Sequence, residues 1–389
     1  MKIIAFYLPQ FHNIPENDEW WGDGFTEWTN VKKGKPNFEG HYQPRVPLND
    51  NYYNLLDDDV KQWQIDLAKQ YGIFGFCYYH YWFNGKLLLE QPMEQMLANK
   101  DLDMPFCVCW ANEPWTKAWV GDAKQVLIAQ SYGEEPEWEE HFNYLLPFFK
   151  DKRYITTDDG RPLVVIYRAE IVPCLNEMLD CWNALAKEQG FKKGLCFAYQ
   201  NIDFDLDPHK DDSRFEYDIE FEPLYAYRDM TKESHKYLRA ARRAVSNWAA
   251  KHFGIDLLHY GENFFNKQGK PLSYDKAWEQ ILTRSPVSTK SLPGAFVGFD
   301  NAARRGKEAK TYHEATPEKF KEYMTKQIAR AKTVYGADFL FVTAWNEWAE
   351  GSYLEPDERY GHAYLEAIKD ALIANGEWHD VDEDDNGDL

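Results

Sequence analysis

Two glutamates three residues apart follow an apolar run late in the chain. The run spans residues 338–344, and the motif after it, WNEWAEGS at 345–352, contains Glu347 and Glu350. Cleavage of a glycosidic bond needs one carboxylic acid that protonates the leaving oxygen and a second carboxylate with a different role. Two surface glutamates on the first turn after a strand are the alternative interpretation. The flanking tryptophans and the asparagine favour the catalytic one.

The composition favours a carbohydrate ligand. Aromatic residues make up 16% of the 389 residues and include 15 Trp and 25 Tyr. A large core accounts for some of these rings, but most of the tryptophans stand beside glycine, asparagine or acidic residues in predicted loops. Aromatic faces in such loops can stack on the apolar C–H faces of sugar rings. We therefore expect an oligo- or polysaccharide as the partner.

The charge and hydropathy disfavour other classes of partner. The net charge is −20, whereas nucleic-acid phosphates and anionic membrane surfaces both attract basic proteins. No apolar run reaches the length of a membrane span. The first residues, MKIIAFY, run into a strand without the layout of a signal peptide. We expect no nucleic acid, no membrane span and a cytoplasmic location, unless a leader was removed before Met1.

We expect neither a metal nor a cofactor. The six cysteines are scattered through apolar runs and are predicted to be buried free thiols. Cys107 and Cys109 lack the two-residue spacer of zinc and redox motifs. The aspartates at 203, 205 and 207 do not form a calcium loop, because Pro208 and Arg214 stand where that loop needs glycine and glutamate. The same aspartates could hold the metal of a nucleotide-sugar transferase, although such triplets arise by chance in an acidic chain.

The order of apolar and helical segments predicts an α/β fold, a (β/α)8 TIM-type barrel. Short apolar runs alternate with longer stretches of helical periodicity, which is typical of a parallel sheet built from βα units. Eight strands are predicted, at 3–8, 73–79, 105–110, 163–167, 195–199, 217–221, 295–299 and 339–344. The predicted helices are 58–71, 92–98, 137–150, 175–189, 236–252, 317–335 and 363–374.

Long loops are expected after strands one and six, at 9–50 and 225–293. We expect residues 1–376 to form a single catalytic barrel domain. The acidic tail at 377–389 has few apolar residues and is expected to be disordered.

The carboxyl ends of barrel strands form the active-site face, so residues at the predicted strand ends are candidates for substrate contact. Tyr79, Trp110, Trp115 and Trp348 are expected to border the sugar, although barrel packing is the alternative for each tryptophan. Asn112, His80 and Arg304 are expected to bind hydroxyls or a substrate carboxylate, although His80 could instead be a packed core histidine. The complete predicted substrate-binding set is Tyr7, Tyr79, His80, Trp110, Asn112, Glu113, Trp115, Arg304, Asn346 and Trp348.

Several motifs together resemble one known family. FYLPQFH at 6–12, WGDGFTEWTNV at 21–31, HYQP at 41–44, YHYW at 79–82 and WNEWAEG at 345–351 are similar to motifs of the WbsX family of bacterial polysaccharide loci. The resemblance extends from residue 1 to about 374. That family is in turn similar to glycoside hydrolase family 99, whose members are barrel endo-α-mannosidases and mannanases. This second link rests mainly on the motif at strand eight.

The resemblance to family 99 implies an unusual retaining mechanism. One carboxylate would take the proton of the sugar's own 2-hydroxyl, which attacks the anomeric carbon and forms a 1,2-anhydro sugar. Carried over by position, Glu347 would be this base and Glu350 the acid/base that protonates the leaving oxygen and then activates water. The 2-hydroxyl must lie trans to the leaving group, as in α-mannosides, α-rhamnosides or β-glucosides.

The sequence therefore predicts a glycoside hydrolase or transglycosylase that acts on an α-linked, mannose- or rhamnose-like polysaccharide. A glycosyltransferase of surface-polysaccharide assembly is the first alternative, since WbsX proteins are often labelled so from their gene neighbourhood. No glycine-rich phosphate loop supports it. A non-catalytic carbohydrate-binding barrel is the second alternative, but it would not need two closely spaced carboxylates.

Overall fold

A computed structural model describes residues 1–116, 126–202, 213–230 and 271–378 of the chain. Nine parallel strand segments form a nearly closed barrel, which confirms the predicted fold class. Along the chain these segments are Lys2–Tyr7, Gly75–Phe83, Phe106–Trp110, Leu163–Ile166, Cys196–Asn201, Phe215–Glu220, Ser291–Leu292, Gly294–Phe296 and Phe339–Thr343.

The seventh barrel position is built from two short segments on either side of Pro293. Ser291–Leu292 pairs with the sixth strand, and Gly294–Phe296 pairs with the strand Phe339–Thr343. A proline has no N–H to give to a ladder, so the pairing changes partner at this residue. The predicted strand at 295–299 was therefore wrong in its bounds, because the pairing begins at Ser291 and ends at Phe296.

The sixth strand and the segment Gly294–Phe296 approach each other so closely that position 294 requires a glycine. A Cβ added at Gly294 would lie 1.8 Å from the carbonyl oxygen of Glu220, on the sixth strand. No rotamer change can relieve a contact with backbone, so a side chain would push the two strands apart.

Helices cover the outside of the barrel and the loops at its ends. Among the described residues the α-helices are Pro15–Trp21, Glu27–Lys33, Asp58–Gln70, Gln91–Ala98, Glu135–Phe149, Leu175–Glu188, Tyr274–Thr283, Ala302–Arg305, Pro317–Arg330 and Ala363–Ala374, and residues 224–230 are helical as well. A π-helical turn, Ala331–Tyr335, continues the helix Pro317–Arg330. Short two- or three-residue strands lie in the loops, at Lys86–Leu88, Trp115–Thr116, Val126–Ile128, Leu272–Ser273, Tyr312–His313, Asn346–Glu347 and Ser352–Tyr353.

Most predicted helices agree with the observed ones to within about two residues, whereas the helices of the first loop were not predicted. That loop contains Pro15–Trp21 and Glu27–Lys33, each only seven residues long. Tyr274–Thr283 was also missed. The predicted helix 236–252, the aspartates at 203, 205 and 207, and all but the first two residues of the predicted tail lie outside the described residues.

Aromatic rings fill the barrel interior. Phe6 of the first strand contacts Phe341 of the last strand at 5.5 Å between ring centroids and Phe221 at 5.3 Å. Tyr79 stacks on the same Phe6 ring at 5.7 Å. The interior rings thus reach from the centre of the barrel up to the strand ends where the predicted site lies.

Side chains of the second strand alternate between the interior and the helix layer, as the period of two requires. His80 and Trp82 lie against His141 of the helix Glu135–Phe149, at 5.1 and 4.5 Å between rings. Tyr79 faces the interior. On this strand, therefore, Tyr79 lies in the barrel interior, whereas its neighbour His80 packs against the outer helix layer.

Four of the six cysteines are buried, namely Cys77, Cys107, Cys109 and Cys196, and all six are free thiols. Within the described residues, no helix has both the length and the apolar character that crossing a bilayer requires.

Candidate active site

The turn after the last barrel strand presents the two predicted catalytic glutamates side by side. Asn346–Glu347 pairs antiparallel with Ser352–Tyr353, and the intervening residues form a 3₁₀ turn and then Gly351. Gly351 has φ +57°, and an added Cβ would lie 3.0 Å from the Cβ of Asp300. Only glycine adopts this conformation in this space without strain, so Gly351 fixes the tight return of the loop.

Arg304 lies between the two glutamates. Its Nη1 donates to Oε1 of Glu350 at 2.7 Å, and its Nη2 is 3.6 Å from Oε2 of Glu347. The Glu347 side chain is 12% exposed and that of Glu350 is 29% exposed, whereas that of Arg304 is 6% exposed. The two carboxylates therefore share one buried guanidinium and both reach the surface of the site.

A third carboxylate completes this cluster from the first loop. Glu27, at the start of the helix Glu27–Lys33, accepts a hydrogen bond from Nε of Arg304 at 2.9 Å. Its side chain is completely buried. Burial raises the pKa of Glu27, and the charge and hydrogen bond of Arg304 oppose that rise. Three carboxylates thus surround a single guanidinium.

Glu347 has a strongly raised proton affinity. Burial, followed by the charge of Glu350, raises the pKa of Glu347 to about 8, while Arg304 acts in the opposite direction. Among the described residues no group donates a hydrogen bond to its Oε2. Glu347 therefore presents an acceptor atom of high proton affinity toward the site.

Three tyrosines lie close enough to the glutamates to sense their charge. Burial raises the pKa of Tyr79 and of Tyr81, and the charge of Glu347 adds to both shifts. Tyr167 has a pKa raised by burial and by Glu113 and Glu350. These phenols are neutral at pH 7 and supply apolar faces and hydroxyl groups beside the carboxylates.

Two further predicted residues border this group. Trp115 stacks on Tyr81 at 5.4 Å with an interplanar angle of 10°. Glu113 forms an ion pair with Arg168, and its side chain is 39% exposed. Of the twelve residues in the prediction, Arg304 brings Glu347 and Glu350 together at the turn, and Tyr79 lies within reach of the Glu347 charge.

Tyr7, Asn346 and Trp348 are buried in the packing beneath the turn that carries Glu347 and Glu350. Asn346 accepts from the N–H of Leu8 at 2.8 Å and donates to its carbonyl at 3.0 Å. Tyr7 donates to Gln64 at 2.6 Å. The three predicted residues are at most 1% exposed, so their polar groups are committed within the protein.

Trp348 is held by a buried glutamate. Its Nε1 donates to Oε2 of Glu355 at 2.6 Å, and Glu355 also accepts from Tyr53 at 2.8 Å and Gln64 at 2.7 Å. The Trp348 ring stacks on Tyr353 at 3.8 Å. Because Trp348 stands between Glu347 and Glu350 in sequence, this buried network sets the position of the turn.

His80, Trp110 and Asn112 of the predicted set also bond and pack within the protein. His80 is 2.9 Å from Nε2 of His141, and burial lowers its pKa to about 3. Trp110 donates to the carbonyl of Trp82 and packs on the helix layer. Asn112 is fully buried and bonds both backbone groups of Arg168 at 2.8 Å. Strand alternation turns His80 and Trp110 outward, and Asn112 joins two strand ends.

Asp300 supports the turn from the opposite side. Its N–H donates to the carbonyl of Glu350 at 2.5 Å, and its carboxylate accepts from His41, Gln43 and Thr311. Burial would raise the pKa of Asp300, but the hydrogen bond of His41 and the charge of Arg45 outweigh it and lower the pKa to about 2. Asp300 therefore remains ionised and holds the Glu350 backbone.

A cavity of about 450 Å³ lies next to Gly351, the residue that follows Glu350. Arg45, Tyr42 and Gly351 are among its lining residues, and neither catalytic glutamate lines it. The cavity is thus next to the catalytic turn but separate from the carboxylate cluster.

The predicted catalytic and substrate-binding set did not include Glu27, Tyr81, Tyr167, Asp300 and Glu355. The alternation of the second strand could have identified Tyr81, because it shares the face of Tyr79. Glu27 stands in a motif that was noted for family resemblance, but its contact with Arg304 spans 277 positions in sequence. No local sequence pattern predicts such a contact.

Solved structures with similar folds include an endo-α-mannosidase and a glycoside hydrolase-like protein. A GH99 endo-α-mannosidase from Bacteroides thetaiotaomicron aligns with a TM-score of 0.53 at 14% identity, covering 96% of this chain and 98% of that one. The same enzyme in complex with bis-tris propane gives 0.54 at 14% identity, with the same coverage. A glycoside hydrolase-like protein gives 0.52 at 12% identity, covering 95% and 93%. At these identities the likeness shows the barrel fold.

Sequence relatives give a closer match. Two proteins described as uncharacterized protein WxcX, from two strains of Xanthomonas campestris pv. campestris, are each 35% identical over 372 residues. The match covers 95% of this chain and 49% of the relatives, so the chain spans about half their length. The family model described as Glycosyltransferase WbsX matches residues 3–368. The chain therefore belongs to the WbsX family, as its motifs predicted.

Proposed function

We propose that this protein is a retaining glycoside hydrolase or transglycosylase that cleaves an α-linked, mannose- or rhamnose-like polysaccharide. The observation that carries the proposal is the pair Glu347 and Glu350 on one turn at the carboxyl end of a barrel strand, with Arg304 between them. Active sites of such barrels lie at this end. The fold likeness to endo-α-mannosidases supports the same reaction class.

Glu347 is the proposed base toward the substrate 2-hydroxyl. A base for so weak an acid benefits from high proton affinity, and burial raises the pKa of Glu347 to about 8. Its Oε2 receives no hydrogen bond from the described residues and can therefore accept one from a sugar hydroxyl. The reactive state has Glu347 ionised and Glu350 protonated, so kcat/KM is expected to rise with pH as Glu347 ionises and to fall as Glu350 loses its proton.

Glu350 is the proposed acid/base. In the first step Glu347 takes the 2-hydroxyl proton, O2 bonds to the anomeric carbon, and Glu350 gives its proton to the departing oxygen. In the second step Glu350 takes a proton from water, the water oxygen bonds to the anomeric carbon, and the proton on Glu347 returns to O2. Each carboxyl group ends the cycle in its starting protonation state.

The packed members of the predicted set have a different proposed role. We assign Tyr7, Asn346 and Trp348 to positioning the turn, and His80, Trp110 and Asn112 to supporting the second and third strand ends. Sugar contact is proposed for Tyr79, Tyr81, Tyr167 and Trp115, whose rings border the carboxylates.

A nucleotide-sugar transferase is the second candidate, and the description of the family favours it. A diphosphate needs a cluster of positive charge or a helix N-terminus that donates N–H groups. Arg304, the predicted cation at the strand ends, instead donates to Glu27 and Glu350 within the protein. The carboxylate cluster would repel a diphosphate.

Nucleoside diphosphates are therefore expected not to stabilise the protein. A ligand at about 100-fold excess over its Kd adds about 2.7 kcal/mol to the free energy of unfolding, which a thermal melt detects readily. We expect no change in Tm with any nucleoside diphosphate, with or without manganese. A reproducible increase with one specific nucleotide would make the transferase the better account.

A further inference from the structure

The cavity of about 450 Å³ next to Gly351 lies at the same end of the barrel as the carboxylate cluster. Its wall comes from the first loop, from the segments after the seventh strand and from the turn and loop after the last strand. These segments follow the carboxyl ends of barrel strands, where substrates of such barrels bind. Its volume lies within the roughly 300–1,000 Å³ of small-molecule sites. The cavity is thus large enough and suitably placed for one unit of a longer substrate.

Half-buried aromatic rings line this cavity, namely Phe38, Phe299, Tyr360 and Tyr364. Phe38 stacks on His41 with 4.4 Å between ring centroids, and Tyr360 meets Tyr364 edge to face at 5.5 Å. Neighbouring side chains thus hold these rings in place, while part of each ring surface stays uncovered. Such ring surfaces pack well on the apolar C–H faces of sugars.

The charged groups of the cavity are nearly balanced. Arg45 and Arg359 lie over the ring of Tyr42, at 4.7 and 5.0 Å from its centroid. Glu39 and Glu314 bring two carboxylates to the same lining. An anion gains little from such a balance, and the net charge of −20 repels it. A neutral ligand with many hydroxyl groups can accept hydrogen bonds from the guanidinium groups and donate them to the carboxylates.

We propose that this cavity binds a neutral sugar unit of the polysaccharide, separately from the units at the cleaved bond. The nature of the ligand rests on the proposed function. Gly351 lines the cavity and directly follows Glu350, so one turn borders both places. A polysaccharide that fills both places gains binding energy that a single sugar at the carboxylates cannot supply. Long chains are therefore the expected substrates.

Alanine methyl groups report on the two places separately. Ala315 lines the cavity, and Ala349 lies between Glu347 and Glu350 in sequence. In protein labelled with ¹³C at the alanine methyl groups, the two NMR resonances are assigned by their loss in Ala315→Gly and Ala349→Gly. Methyl α-mannoside, methyl α-rhamnoside and methyl β-glucoside are titrated, with glucuronate as the anionic probe. We expect at least one neutral glycoside to shift the Ala315 resonance saturably.

Variants of the rings show whether the glycoside binds in the cavity, and they keep the Ala315 reporter. Loss of one ring in Tyr360→Ala is expected to raise the Kd by about three- to tenfold. Phe38→Ala provides the same test should Tyr360→Ala not fold. Tyr71→Ala changes a half-buried tyrosine that does not line the cavity, and this matched control is expected to leave the Kd unchanged.

The proposal is overturned if none of the neutral glycosides shifts the Ala315 resonance saturably, if the Kd is unchanged in the folded ring variants, or if glucuronate binds more tightly. A shift of the Ala349 resonance without one of Ala315 rejects the cavity site and leaves the proposed function intact. Saturable binding at Ala315 together with full turnover by Glu350→Gln retains the sugar site and rejects the proposed reaction.

Discussion

Glu350→Gln and Glu347→Gln are each expected to lower turnover of a verified oligosaccharide by a factor on the order of 10² to 10⁴, without loss of the fold. Glutamine at 350 cannot protonate the leaving oxygen, although its amide oxygen can still accept from Arg304. Glutamine at 347 cannot take the 2-hydroxyl proton. The measurement is steady-state kinetics beside a thermal melt of each variant.

An activated leaving group separates the two roles. With a nitrophenyl glycoside the leaving oxygen needs little protonation, so the loss in Glu350→Gln is expected to shrink, whereas that in Glu347→Gln is expected to persist. Glu308→Gln, an exposed carboxylate just after the helix of Arg304, is the matched control and is expected to behave as wild type. Near wild-type turnover by either catalytic variant would refute its assignment.

Glu355→Ala is expected to lower the free energy of unfolding by about 3 kcal/mol or more. The substitution removes the acceptor of three buried donors, from Tyr53, Gln64 and Trp348, and each unsatisfied donor costs about 1–3 kcal/mol. Chemical denaturation monitored by tryptophan fluorescence measures the change. Turnover should fall as well, because Trp348 lies within the catalytic turn.

Glu355→Gln serves as the comparison for this network. Its amide oxygen can still accept from Trp348 and Tyr53. The amide of Gln64 can rotate to offer its oxygen to the new NH₂ group, and the hydroxyl of Tyr7, which donates to that oxygen in the wild-type protein, would then accept from the rotated NH₂ group. We therefore expect a smaller loss of stability than in Glu355→Ala. A loss below about 1 kcal/mol in the alanine variant would show that the network does not hold the turn.

Several features of the fold were predictable because buried parallel strands are continuous apolar runs. The strand Phe339–Thr343 is buried at every position, and its predicted bounds exceeded the observed ones by a single residue. The strand at the seventh position was less predictable, since Pro293 divides it and its pairing depends on two distant partners. Strand segments of only two or three residues cannot be told from loops by sequence pattern, because their pairing partners are distant in the chain.

The turn with Glu347 and Glu350 could be picked out from local sequence, but the direction of the side chains around it could not. All polar and aromatic residues at the strand ends were predicted to face the site. Side chains of a strand alternate between its two faces, however, so His80 packs against the helix layer while Tyr81 lies near Glu347. Asn346 has a polar side chain at the right place, but the backbone of Leu8 uses both of its polar atoms. Glu27 reaches the site through tertiary packing, which single-sequence patterns do not encode.

The central claim is that Glu347 and Glu350 cleave the bond with help from the substrate's own 2-hydroxyl. Its most direct test is time-resolved ¹H NMR of an α-linked mannoside oligosaccharide that the protein cleaves, beside the same compound lacking the 2-hydroxyl at the scissile residue. We predict that the α-anomer appears first and that the 2-deoxy compound binds without being cleaved. Cleavage of the 2-deoxy compound at a comparable rate, or first release of the β-anomer, would contradict the account.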